Sequence, residues 1–231
     1  MDETSIRSAL EQAAGPGPPR LIPLTGPAPP VARVGLIPGS FDPMTVAHAA
    51  LAGALLEDGA DVVVLTYSPH TMPKEGAAGA EPPLLDEVGR VRALLAFAAP
   101  RDRVGVALSS HGLFADQAEA AAMAFPGTDL AFAVGSDKLA QLADPAWYED
   151  RDAALERLFV RAEVRYAMRA GDVDRVRDAL RSLDRWAGRI RPLGLPEGLA
   201  GISSSMVRRA VRAGVDVSDL VPPEVRPYVS P

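Results

Sequence analysis

The chain of 231 residues has no cysteine, so disulfide bonds and thiolate metal sites are excluded and the redox compartment cannot be read from it. It has no apolar run of about 18 residues, and therefore no candidate transmembrane helix. Basic residues are outnumbered, 24 Lys and Arg against 30 Asp and Glu, for a net charge of −6. That balance argues against a general nucleic-acid binder, which needs clustered Lys and Arg. It leaves room for a small anionic ligand held by local positive groups. The opening stretch, MDETSIRSALEQAAGPGPPR, lacks a basic region followed by an apolar one, so no secretory signal is expected and the cytoplasm is the expected compartment. Two phosphate-binding fingerprints are also missing, G-x-x-x-x-G-K-[ST] and G-x-G-x-x-G.

What is present is a core-forming composition, 48% apolar and 23% charged. Residues 1–32 read as a short helix, about Thr4 to Ala14, followed by GPGPPRLIPLTGPAPP. Its many prolines remove backbone donors and favour extended, semi-rigid chain, so this segment is expected to be an arm. From Arg33 onward, short apolar runs alternate with helix-periodic segments. The runs RVGLIP, DVVVLTY, RVGVALS, DLAFAVGS, EVRYAMRAG and RIRPLGL read as strands. Between them, AHAALAGALLEDG, LLDEVGRVRALLAFAA, FADQAEAAAMAFPG, AALERLF and DVDRVRDALRSLDRWAG read as helices. SSSMVRRAVRAG and PPEVRPYV close the chain as further helix. This alternation predicts an α/β fold: a Rossmann-like, doubly wound parallel sheet with helices on both faces and a C-terminal helical segment. Ligands of such sheets bind at the carboxyl ends of the strands, where chain order reverses.

Two strand-to-helix junctions carry the chemistry. PGSFDPMTVAH, residues 38–48, follows the first core strand, and its Gly39 permits close backbone approach. His48 falls in the first turn of the next helix, where free N–H groups and the dipole favour anions. GISSSMVRRAVRAG, residues 201–214, sets three serines before a helix that carries Arg208 and Arg209. One serine suffices for a cap, whereas a serine-rich helix start with an arginine one turn in also suits a phosphate. Either junction alone is compatible with a purely structural role.

Together, GSFDPMTVAH and GISSSMVRR resemble the two signatures of the nucleotidylyltransferase superfamily, G-x-F-D-P-[HT]-x-G-H and I-S-S-T-x-[IV]-R. Within it the chain is most similar to the nicotinate and nicotinamide mononucleotide adenylyltransferases. VGSDKLAQLADPAWYED, residues 134–150, resembles their middle motif, and YAMRAG their strand ending in RRPG. Arg90 falls where that family often has an arginine opening a helix. The resemblance spans about residues 33–230, making 33–231 the nucleotidylyltransferase domain.

This resemblance implies transfer of the adenylyl group of ATP to a pyridine mononucleotide, with Mg²⁺ accompanying the triphosphate and no protein metal ligand named. It assigns catalysis to His48, Thr45 and Arg208. ATP would be bound by Gly39, Ser40, Phe41, His48, Gly135, Asp137, Ser203, Ser204 and Arg208, and the acceptor by Lys74, Trp147 and Arg169. The expected partners are ATP and a small phosphorylated substrate, with no nucleic acid and no membrane; a homo-oligomer stays open. The chain departs from the pattern at Thr45, where many members have histidine, at Ala47 for glycine and at Ser205 for threonine. Residues 108–121, LSSHGLFADQAEAA, replace a segment that holds the pyridine mononucleotide in many members. Two alternatives follow: another phosphorylated acceptor or CTP as donor, and a catalytically inactive nucleotide-binding homologue.

Overall fold

In a computed structural model, which describes residues 1–26, 30–70 and 82–229, the described chain forms one seven-stranded sheet. The strands are β1 (Leu21–Thr25), β2 (Arg33–Pro38), β3 (Val62–Tyr67), β4 (Val104–Ser109), β5 (Asp129–Gly135), β6 (Ala162–Ala167) and β7 (Ile190–Pro192). Their order is β1-β4-β3-β2-β5-β6-β7, with β1 antiparallel to β4 and all other pairings parallel. Counted from β2, the parallel strands run 3-2-1-4-5-6, the doubly wound order, with its switch point between β2 and β5. Every residue of β3 and β4 is buried, as expected for parallel strands covered on both faces.

The helices are α1 (Glu3–Ala14), α2 (Val46–Glu57), α3 (Glu87–Ala98), α4 (Phe114–Ala124), α5 (Ser136–Ala143), α6 (Arg151–Arg161), α7 (Val173–Ser182), α8 (Ser204–Arg212) and α9 (Arg226–Val229). Asp2, Asp86 and Asp150 each accept a backbone N–H two or three residues into α1, α3 and α6, satisfying donors that the first turn leaves open. One apolar cluster joins α1, α2, α3 and α8 to one face of the sheet; a second joins α4 to α7 to the other. None of the helices described is long and apolar enough to cross a membrane.

Helix α2, which follows the first junction, is pinned at both ends. The Val46 N–H donates to the Leu220 carbonyl at 3.0 Å. At the far end, Asp58 receives Nε of Arg165 at 2.7 Å, and Glu163 takes Nη2 of the same guanidinium at 2.8 Å. Arg165 is 2% exposed, so its charge persists in β6 because both carboxylates meet it.

The main departure from the sequence reading is at the start of the chain. The helix expected near Thr4 to Ala14 is α1, but the proline-rich stretch after it is not an appended arm: Leu21–Thr25 is an edge strand of the sheet. Pro23 sits opposite Ala107, a place open to proline because an edge strand has one side without ladder partners. Ile6, Leu10 and Ala13 are buried in the first apolar cluster. Helix α5 was also missed, because GSDKLAQL was read only as a motif, and the expected 222–229 helix shortens to Arg226–Val229.

If α1 belongs to the core, Ile6→Ala should destabilise the protein by about 2–4 kcal/mol, the scale of a large-to-small core change. Denaturant unfolding monitored by circular dichroism measures it; a loss near zero would return α1 to the status of an appendage.

Candidate active site

A cleft of about 340 Å³ opens at the carboxyl ends of β2, β3 and β5, beside the switch point. Of the residues singled out from sequence, it is lined by Gly39, Ser40, His48, Gly135, Asp137, Arg169, Ser203 and Ser204. Thr45, Phe41, Arg208 and Trp147 are not on its wall, and Lys74 lies outside the described residues.

His48 is the third residue of α2, whose N-cap is Thr45. Its Nδ1 accepts the Thr45 backbone N–H at 3.1 Å and lies 2.8 Å from Thr45 Oγ1. The imidazole thus fills the place that Glu or Gln takes in a capping box. Because a backbone N–H can only donate, Nδ1 is the unprotonated nitrogen of the neutral ring and Nε2 carries the proton. Phe41 packs on the same ring, 5.2 Å between centroids. Thr45 is fully buried, so its hydroxyl holds His48 and does not face a ligand. The resemblance implies a catalytic Thr45; in the structure it lies off the cleft wall and meets His48.

The loop beneath His48 is held in a strained shape. Phe41 is 1% exposed with φ of 44°, a conformation that costs a non-glycine residue about 1 kcal/mol or more. Gly39 is required by this packing: a Cβ there would come within 2.9 Å of the Phe41 ring. Its role is to admit Phe41, not only a ligand. The next residue, Asp42, is 5% exposed and accepts the N–H groups of Leu84 at 3.0 Å and Leu85 at 2.9 Å. Arg90 lies 3.5 Å from its carboxylate and Arg208 3.6 Å. Arg90 also donates to the carbonyls of Leu85 at 3.0 Å and Ser40 at 3.4 Å.

The three serines have three different partners. Ser203 caps α8 by accepting the Met206 N–H at 3.2 Å. Ser204 donates to the Pro43 carbonyl at 2.9 Å and so ties α8 to the first loop. Ser205 accepts from Arg208 Nη2 at 3.0 Å. All three also line the cleft. Arg208 itself donates to the Asp42 carbonyl at 2.8 Å, with its side chain 11% exposed. The expectation of a direct phosphate clamp is corrected accordingly: Arg208 supports the loop and Ser205 from behind.

On the opposite wall, Asp137 pairs with Arg169 at 3.3 Å. Gly135 is required there too, since a Cβ would fall 2.6 Å from Asp137 Oδ1 and 3.0 Å from Arg169 Nε. Ser136 is buried and donates to Asp172 at 2.6 Å while accepting the Arg169 N–H at 3.1 Å, which fixes the segment bearing Arg169. Trp147 sits in a 3₁₀ turn, Pro145–Trp147, closed by Asp144 accepting the Ala146 N–H at 2.9 Å. Trp147 is half-buried and does not line the cleft. The neighbouring Tyr148 is half-buried with its hydroxyl donating to the Leu142 carbonyl, and desolvation pushes its pKa up to about 12.

Sequence reasoning did not assign Thr66, Ser68, Gln117, Lys138 and Gln141 to the site, yet all line the cleft. Gln117 is 6% exposed; it accepts from Thr66 Oγ1 at 3.3 Å and donates to the Gly112 carbonyl at 3.0 Å. Its signal was a lone polar residue on the inner face of an alanine-rich helix. Lys138 donates to Gln141 at 2.7 Å. Among the described residues, Lys138 and Arg169 are the Lys and Arg side chains on the wall. No group of three or more His, Asp or Glu able to hold a metal ion occurs among them.

The Cytidylyltransferase-like family model matches residues 36–210, a span that holds the first junction, the second as far as Ala210, and the lining residues of the cleft. No curated protein matches the chain. Among solved structures, the chain is similar to a Plasmodium falciparum nicotinic acid mononucleotide adenylyltransferase complexed with APC. The TM-score is 0.59 at 15% identity, covering 86% of this chain and 94% of that one. A putative nicotinate-nucleotide adenylyltransferase from Vibrio parahaemolyticus aligns over 86% of this chain and 99% of its own, at 14% identity and TM-score 0.44. Thermotoga maritima TmcAL bound with alpha-thio ATP aligns over 86% and 55%, at 15% and 0.45. The first of these likenesses carries the fold.

Removing either partner of the Asp42–Arg208 pair weakens a buried charge network in which Arg90 also faces Asp42. Asp42→Ala and Arg208→Ala should each cost about 1–3 kcal/mol, the scale of losing one partner of a buried hydrogen-bonded group, and the double variant should cost clearly less than the two added together. Denaturant midpoints across the cycle measure this; strict additivity would show that the two side chains do not support each other.

Proposed function

The chain belongs to the cytidylyltransferase-like family of nucleotidyltransferases, and from that premise we propose that it joins ATP to a pyridine mononucleotide, nicotinate or nicotinamide mononucleotide, forming the dinucleotide of NAD biosynthesis and pyrophosphate. The observation that carries this reading is the fixed tautomer of His48. Its Nδ1 is consumed by the helix cap, and its proton-bearing Nε2 belongs to a residue on the cleft wall between the N-termini of α2 and α8. The name of the Plasmodium falciparum structure, an adenylyltransferase acting on nicotinic acid mononucleotide, supports the choice of acceptor.

In this reading a phosphate oxygen of the mononucleotide attacks the α-phosphorus of ATP. A new P–O bond forms as the bond to the α–β bridging oxygen breaks, and its electron pair leaves with pyrophosphate. The step needs positioning and charge stabilisation and no covalent enzyme intermediate. His48 donates through Nε2–H to a nonbridging oxygen of the α-phosphate, where charge builds up. The β- and γ-phosphates lie against the N-terminus of α8, with its free N–H groups and the Ser203, Ser204 and Ser205 side chains. Gly39 and Ser40 border the same end, and Gly135, Asp137 and Arg169 face the nucleoside. Thr45, Phe41 and Arg208 are positioning residues that act through His48, the loop and Ser205. Mg²⁺ enters as part of the nucleotide substrate. Among the described residues the one carboxylate on the cleft wall, Asp137, is engaged by Arg169, so phosphate oxygens and water would hold the ion.

Pyrophosphate release with ATP or CTP, against both pyridine mononucleotides and other phosphorylated acceptors, tests the reading. Turnover of ATP with a pyridine mononucleotide is expected. Preference for another acceptor would move the substrate class, and ATP binding without release for any acceptor would mark an inactive homologue. His48→Ala should lower kcat by about 10²-fold or more, with a stability loss of about 1 kcal/mol from the cap. Thr45→Val should lower kcat less, leaving the KM for ATP unchanged. Unaltered turnover in His48→Ala would remove the assigned role.

A further inference from the structure

The first turn of α2 gathers its hydrogen bonds around His48, and one of its donors is met from a distant part of the chain. The Thr45 N–H goes to His48 Nδ1, while the His48 and Ala49 N–H groups return to the Thr45 carbonyl at 3.0 and 3.2 Å. The Val46 N–H, on the first helical residue, donates instead to the Leu220 carbonyl at 3.0 Å. Leu220 lies beyond the family-matched region and is not on the cleft wall, whereas Ala47, His48 and Leu51 of α2 are. The tie therefore grips the start of α2 from outside the cleft.

The sequence around Leu220 holds its carbonyl in place. In LVPPEV, Val221 precedes a proline and is biased to extended backbone. Pro222 and Pro223 supply no N–H to a ladder or a helix interior. The Pro222 carbonyl accepts the Val225 N–H at 2.9 Å and the Arg226 N–H at 3.3 Å, which closes the turn. Val217, Val221, Val225 and Val229 are buried in the same apolar cluster as Leu51, Ala52 and Leu55 of α2. Glu224 fastens the turn just past the end of α3: its carboxylate lies 2.9 Å from Arg101, whose guanidinium carbon is 3.9 Å from the Phe97 ring centre. Two stiff segments thus meet at one hydrogen bond, next to the N-cap that His48 completes.

We infer that Leu220 is a positioning residue for adenylyl transfer. Its carbonyl fixes the first turn of α2, so that His48 keeps Nδ1 on the cap and Nε2–H in a single direction. The N–H groups of a first turn have no partners within their own helix, so an outside acceptor sets how firmly that turn is held. A preorganised donor loses much of its effect when its placement drifts. The inference rests on the adenylyl-transfer reading for the effect on turnover, but not for the effect on the His48 ring.

Val46→Pro isolates the bond in the full chain. Proline is favoured at the first helical position, and Thr45, at φ −119° and ψ 167°, already has the extended backbone that suits the residue before it. The substitution removes the one N–H and leaves the helix, as circular dichroism verifies. Val46→Ala keeps the N–H and is the control. Pyrophosphate release with ATP and nicotinate mononucleotide gives kcat, calorimetry gives the Kd of a non-hydrolysable ATP analogue, and nitrogen NMR shifts of the His48 ring report its tautomer. In Val46→Pro, kcat is expected to fall about tenfold with the analogue Kd unchanged. The His48 Nδ1 and Nε2 signals are expected to move toward each other as the second tautomer becomes populated. Val46→Ala is expected to match the wild type throughout. Wild-type ring signals or wild-type kcat in Val46→Pro, or an equal loss in Val46→Ala, overturns the proposal. Should the wild-type chain bind the analogue but not use nicotinate mononucleotide, the substrate reading fails separately, and the ring signals alone decide whether Leu220 positions His48.

Discussion

The cleft depends on a single buried carboxylate. Asp42 receives the backbone amides at the start of α3, faces Arg90 and Arg208, and lends its own carbonyl to Arg208. Taking a carboxylate and two guanidiniums out of water costs several kcal/mol per ion, which is offset only when each is met by good partners. Here the partners come from three separate parts of the chain: the loop after β2, the α3 entrance and α8. None of these can shift without exposing a charge to an apolar setting. That constraint holds Phe41 at its positive φ, and Phe41 in turn packs on Gly39 and His48.

The same economy governs His48. Its two ring nitrogens differ: Nδ1 satisfies a helix N-terminus, which leaves the proton of the neutral ring on Nε2. A glutamate at this position would complete the cap equally well, but would put a negative charge where an anion is to bind. Histidine is the residue that can accept from the backbone on one side and donate to phosphate on the other. Thr45 strengthens this arrangement from beneath, which explains why a residue that cannot carry positive charge fits the position. The threonine at residue 45 meets His48 directly.

Much of the fold was legible because the β-branched runs and helix-periodic segments follow each other at short intervals, and tertiary packing agrees with local preference. The doubly wound order placed the informative residues at strand ends, and eight of the expected site residues do share one cleft. What was not legible was side-chain direction. Arg208 and Thr45 belong to the same motifs as Ser204 and His48, yet they point into the protein, because the loops between them need internal anchors. The spacing of a motif records both needs without separating them. Trp147, in its 3₁₀ turn, does not line the cleft, and its spacing in the motif does not reveal that. Strand β1 is hidden in the sequence because proline removes backbone donors and suits unpaired chain, although an edge strand tolerates it.

That edge strand connects the periphery of the sheet to its chemistry. An exposed β4 would offer a row of unpaired backbone groups to other chains, and β1 covers it in antiparallel register from Leu21 to Thr25. The pairing continues one step further, into the reciprocal bonds of Arg20 with Ser110, at the end of β4 where the cleft begins. Covering the edge and shaping the site are therefore the same act. A segment that only protected the sheet could stop at Leu21. This one runs on through Arg20 to the end of α1 and brings the Ala14 carbonyl to His70, which lines the cleft, so its geometry is set by the cleft as much as by the sheet.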